Sequence, residues 1–425
     1  MPAKEPTAPE KATPDLDYPN VNEDFEAARD AIVDWYITEA WSYRHPHSLT
    51  RETCRRLNAA GVPIHVFNAW VMTLHPNYFG VVHGWQQGRH EVTTQVGSHE
   101  MWNTPLVQNS PLAVVRDDGA SAMRRKLCDP AWPIEYPVLE EYVEDGATDY
   151  VAMRLPSRSK GLYMISAATR QPGGFTTAEL TLMDTLVPHM ARLTDIQALN
   201  FLATTLLDTY VGKDAGGRIM TGNIRRGSVE TIRAVIWLCD LREFTRLSDT
   251  LPSDRLVALL NDYFDCVGTP VREHGGEILK FIGDAMLAIF RFEDEAERPA
   301  ACAKASIAAQ EAIDLVNALN ATRQGAGEET IDIGIALHLG DVMYGNIGAA
   351  DRLDFTVIGP AVNLAARIEG LCRPLKRRVL MSEDFAKGSG VEHETLGEHA
   401  LKGVAAPVTV FAPLTATPAM PKAKA

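Results

Sequence analysis

Cysteine is sparse and scattered. Cys54, Cys128, Cys239, Cys266, Cys302 and Cys372 lie far apart, with no C-x-x-C pair among them. That spacing excludes a zinc ribbon or a dithiol redox centre and suits a reducing cytoplasm. Positive charge is in deficit: 41 Lys and Arg stand against 55 Asp and Glu, a formal net charge of −14. Such a surface does not draw in a polyphosphate backbone, so general electrostatic binding of nucleic acid is excluded. One small anionic ligand held by local cations and metal ions remains compatible with it. No apolar run reaches the ~20 residues of a membrane span, and Met1 to Asn20 has no apolar core of a secretory signal. The expectation is a cytoplasmic protein without a transmembrane segment.

What the chain does have is length and apolar content. Its 425 residues are 46% hydrophobic, enough for two or three cored domains. Residues 1–20 carry Pro2, Pro6, Pro9, Pro14 and Pro19 among charges and read as a disordered tail, as do residues 416–425. Six of the seven tryptophans precede residue 140, and the second half turns to Ala, Gly and Asp. That shift divides the chain into a first domain over 21–175, a helical connector over 176–229 and a second domain over 230–415.

In the first domain, apolar spacing predicts helices over Phe25–Trp41 and Thr50–Ala60. Extended runs follow at Ile64–Leu74, Phe79–Trp85, Tyr150–Leu155 and Leu162–Thr169. His45 and His47 read as surface residues of a loop. Arg170 to Gly174 is a turn, and Thr176-Thr177-Ala178-Glu179 has the capping-box pattern of a helix start. Leu182, Leu186, Met190, Leu193, Ile196, Leu199, Leu202 and Leu206 then recur at helical spacing, interrupted by Pro188, which should kink or break the helix. This stripe fits a helix packed on its own domain, or a dimerising helix that joins a sensor to an output domain. A glycine-rich connector, Gly212 to Gly227, follows. The helix-first, strand-rich order, closed by Pro172-Gly173-Gly174-Phe175-Thr176, resembles a GAF-type α+β sensor domain. That resemblance implies a small-molecule ligand, for which the sequence shows no signature.

The second domain carries the chemistry. Thr231 to Cys239 is a buried-strand pattern that ends in Asp240-Leu241-Arg242-Glu243-Phe244-Thr245. A carboxylate there suits a metal site, and the N–H groups of the helix start at Phe244 and Thr245 suit phosphate oxygens; taken alone, Asp240 reads first as a helix cap. Leu256, Leu259, Leu260, Tyr263, Phe264 and Val267 form a core-facing helical stripe. His274 to Phe290 reads as strand, Gly283-Asp284 hairpin turn and strand. Together Asp240 and Asp284 could share hard cations, which favour carboxylates and substrate phosphates.

These segments resemble the class III nucleotidyl cyclases. The match runs from Ala234 to Thr245 and from Gly275 to Phe290, then through His338-Leu339-Gly340-Asp341-Val342 with Gly345-Asn346-Ile347-Gly348, Phe355 to Arg367, and Leu401-Lys402-Gly403. The resemblance implies a ferredoxin-like βααββαβ core and active sites shared between two catalytic domains. By it, Asp240 and Asp284, with Leu241 beside them, hold two Mg²⁺ or Mn²⁺ ions. Lys280 and Thr356 read the purine, Asn363 and Arg367 position the ribose and stabilise the pentavalent phosphorus, and Lys402 grips the terminal phosphates. One chain supplies the aspartates and its partner the other five, so a homodimer would hold two complete sites. Asp341 and Pro360 depart from the common pattern without removing a catalytic group.

A lysine ammonium only donates, which suits N1 of adenine and not the protonated N1 of guanine; a threonine hydroxyl can accept from the adenine amino group. The expectation is therefore an adenylate cyclase making 3′,5′-cyclic AMP and pyrophosphate from ATP, under the control of the first domain. A guanylate or other nucleotide cyclase, and a silent nucleotide-binding module, are the alternatives.

Overall fold

The computed structural model describes residues 23–72, 78–89, 91–101, 104–117, 120–129, 131, 134–157 and 162–414. The two expected tails, 1–20 and 416–425, lie outside them. The chain divides into two compact units between Thr205 and Leu206.

The first unit opens with α1 (Glu23–Thr38) and α2 (Pro46–Ala59). The second helix starts four residues earlier than its apolar spacing predicts. Pro46 takes the first helical position, where its fixed φ is favourable and its missing N–H costs nothing. His47 thus belongs to the helix rather than to a loop. Strands β1 (Val66–Met72), β2 (Gly80–Gln86) and β3 (Thr93–Gly97) follow, then α3 (Pro105–Gln108), α4 (Pro111–Asp117), β4 (Ala122–Lys126), α5 (Pro137–Glu144), β5 (Asp149–Leu155) and β6 (Leu162–Thr169). They form one antiparallel sheet in the order β3-β2-β1-β6-β5-β4.

Period-two alternation sends β5 and β6 into two separate cores. Val151, Met153, Ile165 and Ala167 pack with α1 and α2 on one face. Tyr150, Ala152, Met164 and Ala168 pack with α4 and α5 on the other. Asp149 at the start of β5 is fully buried. It accepts from Arg124 of β4 and from the Phe175 N–H at 2.9 Å, which ties the edge strand to the turn before the next helix.

That helix, α6 (Thr177–Tyr210), begins with the expected capping box. The Thr176 N–H donates to Glu179 Oε2 at 2.8 Å, and the Glu179 N–H donates to Thr176 Oγ1 at 3.2 Å. It runs through Pro188 unbroken. Packing explains this: Leu186, Val187, Met190 and Ala191 around the proline are buried, and that burial outweighs one lost backbone bond. The leucine stripe divides in two. Leu182, Leu186, Met190 and Leu193 pack into their own unit, whereas Ile196 and Leu199 are 54% and 51% exposed.

The second unit starts with a helix inside the expected glycine-rich connector, α7 (Lys213–Met220), with Ala215 and Gly216 buried. Gly216 lies so close to the preceding chain that a Cβ would sit 2.9 Å from Asp208 Oδ1, so its lack of a side chain permits the packing. Then come β7 (Val229–Leu241), α8 (Phe244–Thr250), α9 (Ser253–Glu273), β8 (Glu277–Ile282), β9 (Ala285–Phe292), α10 (Arg298–Gly325) and β10 (Ile333–Gly348). The last elements are β11 (Leu353–Ile358), α11 (Pro360–Glu369), β12 (Val379–Ser382), α12 (Glu383–Ser389), β13 (His393–His399) and β14 (Val408–Pro413).

Their sheet runs β13-β14-β12-β10-β7-β9-β8, with β11 paired to β10. The strand β7 lies at its centre between β10 and β9, both antiparallel to it. Val235, Trp237 and Cys239 of β7 pack against α9 and α10. The alternate residues Ala234, Ile236 and Leu238 pack against α7 and α11. Among the described residues, no helix is long and apolar enough to cross a membrane.

Candidate active site

The apolar run of β7 ends at Asp240, which is half-buried. The register Cys239↔Met286 carries that strand end alongside the tip of the β8–β9 hairpin. Ile282 pairs with Ala285, so the hairpin loop is only Gly283-Asp284. Gly283 has φ +66°, the backbone a two-residue hairpin turn needs and a side chain resists. The two carboxylates, 44 positions apart in the chain, thus meet by strand register.

Burial pushes Asp240 upward first, and the hydrogen bond to and charge of Asp284 push it further, to about 7. Both aspartates open into a pocket of about 470 Å³, lined also by Leu241, Glu243, Phe244, Thr245, Arg246 and Arg373. Glu243 adopts the left-handed conformation, φ +58°, between the end of β7 and the start of α8. That reversal sets Phe244 and Thr245 at a helix N-terminus, where the first N–H groups have no intrahelical acceptor.

Five of the ten residues singled out from the sequence therefore share this pocket: Asp240, Leu241, Phe244, Thr245 and Asp284. The other five do not line it. Lys280 is half-buried on β8, and Thr356 is on β11, a strand that comes into contact with β8. Thr356 is only 3% exposed, and its hydroxyl has no hydrogen-bond partner. Asn363 and Arg367 stand one turn apart on α11 with both side chains exposed. Pro360, one of the two departures from the expected pattern, occupies the first turn of that helix, where proline is well tolerated. Lys402 is exposed in the turn between β13 and β14, and Asp341 is exposed on β10.

Sequence reasoning passed over the groups behind and beside the aspartates. Glu369, at the end of α11, is pushed upward by burial, against the pull of Arg242, and lies near enough to Asp284 to feel its charge. The Arg242 side chain is 8% exposed and faces Asp332 at 3.7 Å. Asp332 in turn accepts from Arg378 Nε at 2.6 Å. An arginine beside an acidic strand end carries no motif, and a glutamate late in a helix looks like a surface residue. Their placement arises from folding alone. Arg373 lines the same pocket with its side chain 73% exposed; its ion-pair contact there is Glu243 at 3.7 Å.

The donor set fits hard cations. Two facing carboxylates, one of them held near 7, lack a compensating charge between them. Among the described residues, no cluster of three His, Cys, Asp or Glu side chains could hold a metal ion by itself. One or two carboxylates completed by substrate phosphates is the usual provision for Mg²⁺.

The chain is similar to known proteins over its second unit. Residues 229–412, within the second unit, match the family model of the adenylate and guanylate cyclase catalytic domain. An adenylate cyclase of Anabaena cylindrica is 38% identical over 166 residues, which are 39% of this chain and 32% of that protein. An uncharacterised protein of Mycobacterium tuberculosis is 32% identical over 212 residues, 49% of this chain and 36% of its own length. The chain spans about a third of the length of these curated relatives. Among solved structures, the adenylyl cyclase CyaB from P. aeruginosa is 24% identical with a TM-score of 0.41, covering 46% of this chain and all of its own. The guanylyl cyclase Cya2 is 28% identical with a TM-score of 0.38, covering 44% of this chain and 93% of its own.

Proposed function

We propose that this chain is an adenylate cyclase that converts ATP to 3′,5′-cyclic AMP and pyrophosphate at sites shared by two copies. The observation that carries this reading is the separation of the residues into two sets. Asp240 and Asp284 open into one pocket, while Lys280, Thr356, Asn363, Arg367 and Lys402 lie outside it. A second copy that presents the second set to the first would complete a site, and a two-fold pair would complete two.

In this reading Asp240, Asp284 and the Leu241 backbone hold Mg²⁺ or Mn²⁺. Bound there, two ions would lower the pKa of the ribose 3′-hydroxyl and neutralise the triphosphate. Phe244 and Thr245 direct their N–H groups to phosphate oxygens. From the partner copy, Asn363 orients the ribose, and the Arg367 guanidinium meets the charge that develops on the α-phosphate. One preorganised donor of this kind is worth roughly 3 kcal/mol. Lys402 holds the leaving pyrophosphate. Lys280 donates to adenine N1, and the unpartnered hydroxyl of Thr356 accepts from the amino group. A ferredoxin-like core accounts for the βααββαβ run from β7 to β10.

The first domain, over 21–175, is read as a GAF-like regulatory domain that acts through the 176–229 connector. The six unpaired cysteines fit a cytoplasmic location. Purified chain, offered ATP and GTP separately with Mn²⁺, should make cyclic AMP from ATP, and an Asp284→Ala variant should not. Cyclic GMP from GTP in excess of cyclic AMP from ATP would overturn the base assignment. Product from the Asp284→Ala variant would overturn the site.

A further inference from the structure

The first unit contains a cavity that the cyclase reading does not use. It has a volume of about 230 Å³ and lies between one face of the sheet and α4. Trp70, Met72, Tyr150 and Met164 form its floor, and Leu112 and Ala113 part of its roof. Protein interiors are close-packed, and a void of this size forfeits the contacts its lining would otherwise make. A hydrocarbon-lined cavity of about 150 Å³ stays dry and takes up benzene. This one is larger, and most of its lining is apolar.

The polar groups around it answer one another. Asn68 donates to the Tyr142 hydroxyl at 3.1 Å and to Ser166 Oγ at 3.4 Å. Burial holds Tyr142 and Tyr150 above the ordinary tyrosine range, so both stay neutral. Arg116, the charged residue of the lining, pairs with Asp117 and donates to Gln108 Oε1 at 2.9 Å. Among the described lining residues, no charge is left for a ligand to balance. A carboxylate or ammonium would enter without a counter-ion and lose its hydration.

We propose that this cavity is a binding site for an uncharged, largely hydrocarbon molecule, of the size of a fused aromatic pair or a medium-length alkyl chain. Removal of apolar surface from water drives the binding, so affinity follows shape and volume rather than polar recognition. The site belongs to the first unit alone. It stands whether or not the second unit turns over nucleotide.

The test uses full-length protein and the neutral fluorescent dye N-phenyl-1-naphthylamine. The dye should brighten on saturable binding, and 1-decanol should displace it while decanoate at equal concentration should not. Two variants place a larger side chain in the lining, Ala113→Trp and Val107→Phe. Each should weaken dye binding by roughly tenfold or more while unfolding at no lower temperature than the parent chain. Three results would each overturn the proposal: no saturable binding, displacement by decanoate as effective as by decanol, or unchanged dye affinity in a filled variant that remains folded. If a filled variant unfolds, the decanol and decanoate comparison on the parent chain decides by itself.

Discussion

The carboxyl groups of Asp240 and Asp284 meet in one pocket, and burial together with that neighbour raises Asp240 from 3.8 to about 7. A folded-state value above the unfolded one means that the folded chain keeps a proton the unfolded chain has released. The stability this group contributes is therefore complete below about pH 4 and is lost as pH rises through about 7. A divalent cation bound there, as proposed, would replace that proton. Mn²⁺ should then raise the unfolding temperature more near pH 8 than near pH 5.5, and Asp240→Asn should remove the difference. An equal rise at both pH values would show that the cation binds elsewhere.

The proposed division of the site between two copies predicts complementation. Asp284→Ala and Arg367→Ala should each be inactive alone. Mixed and allowed to exchange, half of the pairs combine one variant of each kind, and each such pair holds one intact site. Activity should recover to about a quarter of the parent value. Two inactive variants that stay inactive after exchange, with mixed dimers verified by mass, would place all the groups in one chain's site.

Base choice is expected to rest on Lys280 and Thr356. Exchange of a donor-only ammonium for a carboxylate matches the protonated N1 of guanine. The double variant Lys280→Glu, Thr356→Cys should lower the ratio of ATP to GTP turnover by tenfold or more, on the order of 1.4 kcal/mol. A panel of both nucleotides measures it, and an unchanged ratio would assign the base contact to other residues.

A buried hydroxyl helps fasten the helix α7 to the sheet of the second unit. Tyr344 Oη is 3.0 Å from Asp214 Oδ2 and 3.0 Å from Glu277 Oε1, and it has one proton to donate. Burial, then the Asp214 charge, holds Glu277 above the ordinary carboxylate range. Arg218 closes the cluster, bonded to Asp214 at 2.6 Å and to Glu230 at 2.8 Å. Tyr344→Phe removes one of the donors around Glu277, which keeps its bond from the Ala215 backbone N–H, and should cost about 0.5–1.5 kcal/mol. Hydrogen exchange over residues 213–220 should accelerate accordingly. Unchanged protection there would mean that the Ala215 packing alone holds the helix.

Some of the fold was legible in short stretches of sequence. The Thr176–Glu179 capping box, the Gly283-Asp284 hairpin and the apolar run of β7 are local devices, and each appears where its residues demand. Others escaped for equally physical reasons. Strand β3 is exposed along most of its length, and β4 carries Arg124, Arg125 and Lys126, so neither shows the alternation that marks a half-buried strand. Glycines at 212, 216 and 217 disguised α7, whose close approach to residues 207 and 208 requires one of them. Pro188 signals a break that surrounding burial overrides.

The sequence by itself determined which chemical groups the second unit possesses, because residue types at motif spacing do not depend on the packing around them. Only the tertiary structure decided which of those groups meet. The pairing of Cys239 with Met286 brings Asp240 to Asp284. The burial of Arg242 and Glu369 brings two further charges in behind them. The exposed face of α11 keeps Asn363 and Arg367 outside that pocket. Strand register and helix facing are set by the burial of apolar neighbours on every element at once, and no single motif contains that information.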